Sequence, residues 1–288
     1  MEMLSGRNIV LTGVPRGGTT LACQLLGACS DTVALFEPMN VNKLPTQDPD
    51  RAVTEIAEFF NFARARALQD GVVPSKQVDG RLPDNLFANE RDDLGRRPML
   101  ARPGFLSLDP RPNPGFTLVV KHNAAFTALL PALTARFETL AIVRHPLAIL
   151  SSWHSVDLPV SHGRLPAAER LDPSLADALD AEPRLLSRQL IVLDWFYSRF
   201  DRLLPEAAVL RYEDIIASQG ELLRSSARLK GASGTQMIER NANPAYGSVI
   251  VERATASLLE KGGYWQRWYP KDGLAVAAAR IIDAQNLP

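Results

Sequence analysis

The stretch Asn8-Ile9-Val10-Leu11-Thr12-Gly13-Val14-Pro15-Arg16-Gly17-Gly18-Thr19-Thr20 decides the fold. Its first half is a short apolar run without alternation, which suits a strand buried on both faces of a parallel sheet. Its second half is a glycine-rich turn, followed by two hydroxyl residues that open a helical pattern over 19–28. A strand, a glycine turn and a helix N-terminus in that order make a phosphate cradle. The glycines let the backbone wrap an oxyanion, and the free N–H groups of the helix end point at it. Outward from this stretch, similar apolar runs recur at 33–36, 117–120, 139–143 and 208–210. Helical spacing fills 53–68, 124–137, 146–154 and 182–204. The alternation predicts an α/β fold, a three-layer α/β/α arrangement around a mostly parallel sheet, as one domain over 1–288. Two stretches, 74–114 and 159–183, break the rhythm with many prolines and are expected as irregular excursions that cover a ligand site or stay unordered.

Composition narrows the classes of function. With 288 residues, 46% of them hydrophobic, the chain can bury a sizeable core. Its 32 basic and 32 acidic residues cancel, which disfavours a nucleic-acid binder and leaves any anionic ligand to local clusters of charge. No apolar stretch approaches the roughly 18 residues of a membrane span, so none is expected. The N-terminal apolar run is broken by Gly13 and Pro15, too early for a signal peptide. Two cysteines, Cys23 and Cys29, are too few for a disulfide framework and are expected as reduced packing residues of a cytoplasmic protein.

The loop has the frame of a nucleotide-binding P-loop from Gly13 to Thr20, but Thr19 stands where a kinase carries its lysine. Arg16 lies inside the loop instead. A nucleoside triphosphatase of this architecture also ends another strand in Asp to hold Mg²⁺. Here the strand ends read Lys121-His122, Arg144-His145 and Arg211-Tyr212. Basic groups therefore occupy the ligand crevice of the sheet, and a polyanion held without a metal is expected.

Pro15-Arg16-Gly17-Gly18-Thr19-Thr20 resembles the P-[KR]-[SG]-G-T-T loop of sulfotransferases that use 3′-phosphoadenosine 5′-phosphosulfate (PAPS), with wording closest to the tyrosylprotein-type and bacterial branch. Arg144 and Ser152, eight apart across a strand end and the next helix, resemble that family's 3′-phosphate motif. A planar guanidinium fork with a hydroxyl donor suits a phosphate dianion. Tyr212-Glu213-Asp214 looks like the Y-E-D segment, whose Tyr lies near the adenine. Lys261-Gly262-Gly263-Tyr264-Trp265 looks like a shortened form of the C-terminal K-G…G-x-W element that closes over the 3′-phosphate. The blocks run in the family's order from residue 13 to residue 265.

The resemblance implies a P-loop-like fold and metal-independent, in-line transfer of a sulfuryl group from PAPS to an acceptor hydroxyl, for which a carbohydrate, lipid, phenol, natural product or protein side chain would all fit. Arg16 and Lys121 would carry the charge that develops on the leaving phosphate. Two residues compete to take the hydroxyl proton. Glu37, at the end of the 33–36 strand, resembles the glutamate base of the tyrosylprotein-type branch. His122 resembles the catalytic His of the cytosolic branch, without the Thr that precedes it there. The loop wording favours Glu37. A metal-dependent P-loop kinase and a non-catalytic nucleotide-binding module are the other classes the loop allows.

Overall fold

The computed structural model describes residues 6–88, 90, 97–231, 236–243 and 246–285. Five strands form one parallel sheet: β1 (Asn8–Gly13), β2 (Thr32–Phe36), β5 (Thr117–Lys121), β6 (Glu138–Val143) and β7 (Val209–Arg211), in the spatial order β2-β5-β1-β6-β7. The missing polar alternation has its expected cause. In β1, Ile9 and Leu11 enter one hydrophobic layer and Val10 the other; in β2, Ala34 and Phe36 oppose Val33 and Leu35. Helices cover both faces, giving the three-layer α/β/α arrangement.

On one face lie α1 (Thr19–Gly27), α5 (Pro146–Trp153) and α8 (Leu185–Leu203). On the other lies α2 (Pro49–Gln69), which starts four residues before the expected pattern. Asp48 caps it by accepting from Arg51 N–H at 2.9 Å, and Pro49 suits the first helical position. The single helix expected over 124–137 is instead two pieces, α3 (Ala124–Ala128) and α4 (Leu130–Leu133). Pro131 in the first turn of α4 has no N–H to continue the ladder from α3.

Both proline-rich stretches are more ordered than expected. Between 74 and 114 the chain forms an antiparallel pair, β3 (Val72–Gln77) with β4 (Arg102–Ser107). Residues 89 and 91–96 of that stretch lie outside the described residues. The 159–183 stretch holds a 3₁₀ turn (Pro159–His162), α6 (Pro166–Leu171) and α7 (Pro173–Ala181). Each begins with a proline in its first turn, where proline initiates helix rather than breaking it. The chain closes with α9 (Tyr212–Ala217), α10 (Glu221–Ser226), α11 (Ser248–Lys261) and α12 (Gly273–Gln285), the last two packed on each other and on α5. Among the described residues no helix is long and apolar enough to cross a membrane. Cys23 and Cys29 are free and buried, and burial pushes the Cys23 thiol up to about 12.

The strand order places the site. The chain leaves β1 for β2 on one side, returns through β5, then crosses to β6 and β7 on the other. The C-terminal end of β1 therefore borders the crevice where the winding reverses, the usual place for a ligand in such a sheet.

Candidate active site

The loop after β1 is tied down from three sides. Val14 N–H donates to Ile142 O at 3.1 Å, Gly17 N–H to Val14 O at 2.8 Å, and the Trp153 indole N–H to Pro15 O at 2.9 Å. Gly18 has φ +94°, and a Cβ there would meet the Tyr212 ring at 2.6 Å, so only glycine fits beneath that ring. Arg16 is left-handed as well, at φ +67°. A non-glycine residue held in that region is strained, and such strain gathers where a side chain must be aimed. Among the described residues no acceptor pairs with the backbone N–H groups of Gly18, Thr19 and Thr20, so the α1 N-terminus offers its donors and partial positive charge to the cleft.

Arg144, at the end of β6, reaches the same loop. It donates from Nη1 to Arg16 O at 2.9 Å, from Nε to Asn241 Oδ1 at 2.7 Å, and from Nη2 to Arg240 O. Its guanidinium lies 4.7 Å from the Tyr212 ring centroid. Ser152 accepts from Arg16 Nε at 3.1 Å and lines the cleft, whereas neighbouring Ser151 does not. Arg16 also stacks over Phe87 at 4.8 Å; burial, the largest influence, pushes its guanidinium down to about 10, so it stays charged near neutrality.

Glu213 is a bracing residue to which the motif reading gave no role. It accepts from His145 N–H at 3.0 Å, Asn241 Nδ2 at 2.7 Å and the Tyr269 hydroxyl at 2.7 Å, and so fixes the segment that Arg144 holds. Its acidic side chain directly after Tyr212, at a strand-to-helix turn, was the available signal.

A second cluster forms at the ends of β2 and β5. Glu37, at φ +45°, accepts from Lys121 Nζ on Oε1 and from Lys76 Nζ on Oε2, both at 2.7 Å. Lys121 is 1% exposed and lies over the Phe36 ring at 4.3 Å. Burial alone would raise the Glu37 carboxyl, but the Lys121 and Lys76 ammonium groups beside it hold it well below the usual carboxylate range. His122 accepts from Met39 N–H on Nε2 at 3.2 Å, which assigns its proton to Nδ1. Burial, with help from the two lysines, pushes its imidazole down to about 3, so it is neutral at ordinary pH. Lys76 belongs to β3, inside a stretch whose sequence carried no periodic signal.

These clusters share one open cleft of about 620 Å³, within the usual range for a ligand site. Pro15, Arg16, Gly18, Thr19, Thr20, Glu37, Lys121, His122, Arg144, Ser152 and Tyr212 all line it. Two expected residues do not. Gly17 turns its N–H inward to Val14, and Lys261, at the end of α11, sits 3.4 Å from Ser187 Oγ on α8. The shortened K-G-G-Y-W segment continues α11 into a turn against α8 and does not reach over the cleft.

Comparison with protein-family models and with curated proteins finds no match to this chain.

The chemistry of the cleft rests on its own side chains. Among the described residues, Arg16, Lys76, Arg97, Lys121, Arg144 and Arg240 line it against two carboxylates, Glu37 and Asp84. A chain with no net charge has thus concentrated cations around the free amides of a glycine loop. Such a concave, basic, partly dry surface focuses potential on a polyanion and keeps one ionised carboxylate beside it.

Proposed function

We propose that the protein is a PAPS-dependent sulfotransferase. The observation that carries this is the meeting of the Pro15–Thr20 loop, the Arg144 and Ser152 side chains and the Glu37–Lys121 ion pair in one cleft. PAPS supplies an activated sulfuryl group when bound. The loop amides and Arg16 would hold its phosphosulfate, and Arg144 with Ser152 its 3′-phosphate. Arg144 spends its donors on Arg16 O, Asn241 and Arg240 O, so a 3′-phosphate reaches it by exchanging with the last two.

In the transfer, the acceptor oxygen forms a bond to sulfur as the sulfur–phosphate oxygen bond breaks, leaving 3′-phosphoadenosine 5′-phosphate. Arg16 and Lys121 stabilise the charge gathering on the leaving oxygen. Glu37 takes the hydroxyl proton. Its low proton affinity is set by two ammonium groups, and an anion entering beside them competes for the same charges, which raises the affinity of the carboxylate for that proton. His122, neutral and tied to Met39, positions rather than abstracts.

The test is a thermal-shift panel without Mg²⁺. At a hundredfold excess over Kd, 3′-phosphoadenosine 5′-phosphate should add about 2.7 kcal/mol of stability, far more than ATP or ADP. Equal stabilisation by ADP removes the role given to Arg144 and Ser152. Tight binding of ATP only with Mg²⁺ points to a kinase instead.

A further inference from the structure

Glu37 is held by one ammonium group on each oxygen, and the two are not alike. Lys121, on Oε1, belongs to β5 inside the main sheet; it is buried and lies over the Phe36 ring. Lys76, on Oε2, belongs to β3, which pairs with β4 and with no strand of the main sheet. Its side chain is about a third exposed and lines the cleft.

The place of Lys76 is fixed by its neighbour. Ser75 is buried, and its hydroxyl accepts from Phe36 N–H at 3.0 Å while donating to Lys76 O at 2.8 Å. This stitch joins the residue before Lys76 to the residue before Glu37, so the two side chains start from adjoining backbone and meet at 2.7 Å. The Glu37 backbone is pinned as well, with its N–H donated to Lys121 O at 2.9 Å and its left-handed φ of +45°.

On the transferase reading, Lys121 also meets the leaving oxygen, so its charge is divided once the nucleotide enters. Among the described residues, the charged and titratable groups that face Glu37 are Lys121, Lys76, the neutral His122 ring and the Cys23 thiol of α1, which burial keeps neutral. Lys76 is therefore the cation that the transfer does not otherwise use. Water screens its charge in the open cleft; a nucleotide that fills the cleft displaces that water and strengthens the pair. The same nucleotide, through its own negative charge, drives an unbraced carboxylate to take up a proton. A base protonated in that way is spent before any acceptor arrives.

We propose that Lys76 is a positioning residue that acts through Glu37: it holds Oε2 and keeps the carboxylate ionised between the binding of the nucleotide and the arrival of the acceptor. Lys76 keeps its own protons throughout, and the hydroxyl proton goes to Glu37. The inference rests on the transferase reading for the role of Glu37 as base, but the proton linked to nucleotide binding is measured without turnover.

Isothermal calorimetry of the full chain with 3′-phosphoadenosine 5′-phosphate at pH 5, in two buffers of different ionisation enthalpy, counts the protons taken up on binding. Protons taken up by the nucleotide itself are common to every protein compared. Lys76→Met and Lys76→Gln should each take up about half a proton more than the parent, as for a carboxyl brought to a pKa of about 5 in the complex. Lys76→Arg should give the parent's count, and adding Glu37→Gln to Lys76→Met should remove the excess. Tm should stay near the parent's, because a pair this exposed is weak in the open cleft. An equal count in the parent and the neutral variants overturns the proposal, and so does an excess that survives Glu37→Gln. If Lys76→Met loses more than about tenfold in nucleotide affinity at pH 8, where Glu37 is ionised in both proteins, Lys76 is a nucleotide ligand and the positioning role falls. ADP bound as tightly as the 3′-phosphorylated nucleotide sinks the transferase reading alone, because proton uptake can be counted with ADP just as well.

Discussion

Replacing Glu37 by Gln keeps the shape of the side chain and removes its charge, and the cost follows from the three groups involved. Lys76 is about a third exposed, so its contact with Glu37 behaves as a surface pair worth roughly 0–1 kcal/mol. Lys121 is 1% exposed, and among the described residues its Nζ forms an ion pair with Glu37 alone. Removing the partner of a buried charge costs about 3–5 kcal/mol, and the amide oxygen of Gln recovers part of this by accepting one hydrogen bond. A loss of about 3 kcal/mol near pH 7 is expected.

The pH dependence carries the sign. The folded state holds the Glu37 carboxyl below its unfolded value, so its contribution is fully present above the unfolded pKa of about 4.3 and shrinks as pH falls through the folded one. Urea unfolding of both proteins should give a gap that is constant between about pH 7 and pH 5.5, then narrows by about 1 kcal/mol at about pH 3.5. Turnover should fall by about 10²–10⁴-fold with the affinity for 3′-phosphoadenosine 5′-phosphate near normal. A gap below about 1 kcal/mol at pH 7, or one that ignores pH, would refute the ion-pair account. Full turnover by the variant would move the proton to His122.

Two further outcomes follow from groups the structure places firmly. His122 is neutral in the folded chain and ordinary in the unfolded one, so it removes stability as pH falls below about 6.5; His122→Gln should make the loss between about pH 6.5 and pH 5.5 smaller by about 1 kcal/mol, and an unchanged slope would contradict its burial as a neutral ring. Lys261→Ala should leave nucleotide affinity within about twofold of the parent in the same thermal-shift assay, because its ammonium faces Ser187 and not the cleft, whereas a loss above about tenfold would return it to the 3′-phosphate.

The strands of the parallel sheet were legible because both of its faces are buried, which leaves runs such as Ile9-Val10-Leu11 with no polar interruption. The loop was legible because its backbone needs glycine at Gly18 and its position between strand and helix is local in sequence. The prolines misled. Read as breakers, they marked 74–114 and 159–183 as irregular, yet Pro159, Pro166 and Pro173 each sit in a first turn, and Pro74 and Pro103 are tolerated in a two-stranded pair. Lys76 and Phe87 were hidden for that reason.

What no local pattern carries is which strands are neighbours. Glu37 meets Lys121, 84 residues away, because β5 inserts between β1 and β2 and pairs Phe36 with Lys121 in register. Arg144 meets the loop because β6 lies on the other flank of β1, with Gly13 opposite Ile142. The same neighbour relations change the chemistry of the two candidate bases. With ordinary pKa values, a glutamate and a histidine would lose activity at different pH and could be told apart by a rate profile. Set beside Lys76 and Lys121 in a buried strand end, both are driven below their ordinary values, so the profile no longer separates them. The choice then falls to hydrogen bonding. Nε2 of His122 is already accepting from Met39, whereas both oxygens of Glu37 face cations that an incoming anion can draw away. On the proposed sulfotransferase reading, the group whose partners can be exchanged by the reactants is the one able to gain a proton when they arrive, which favours Glu37 over His122.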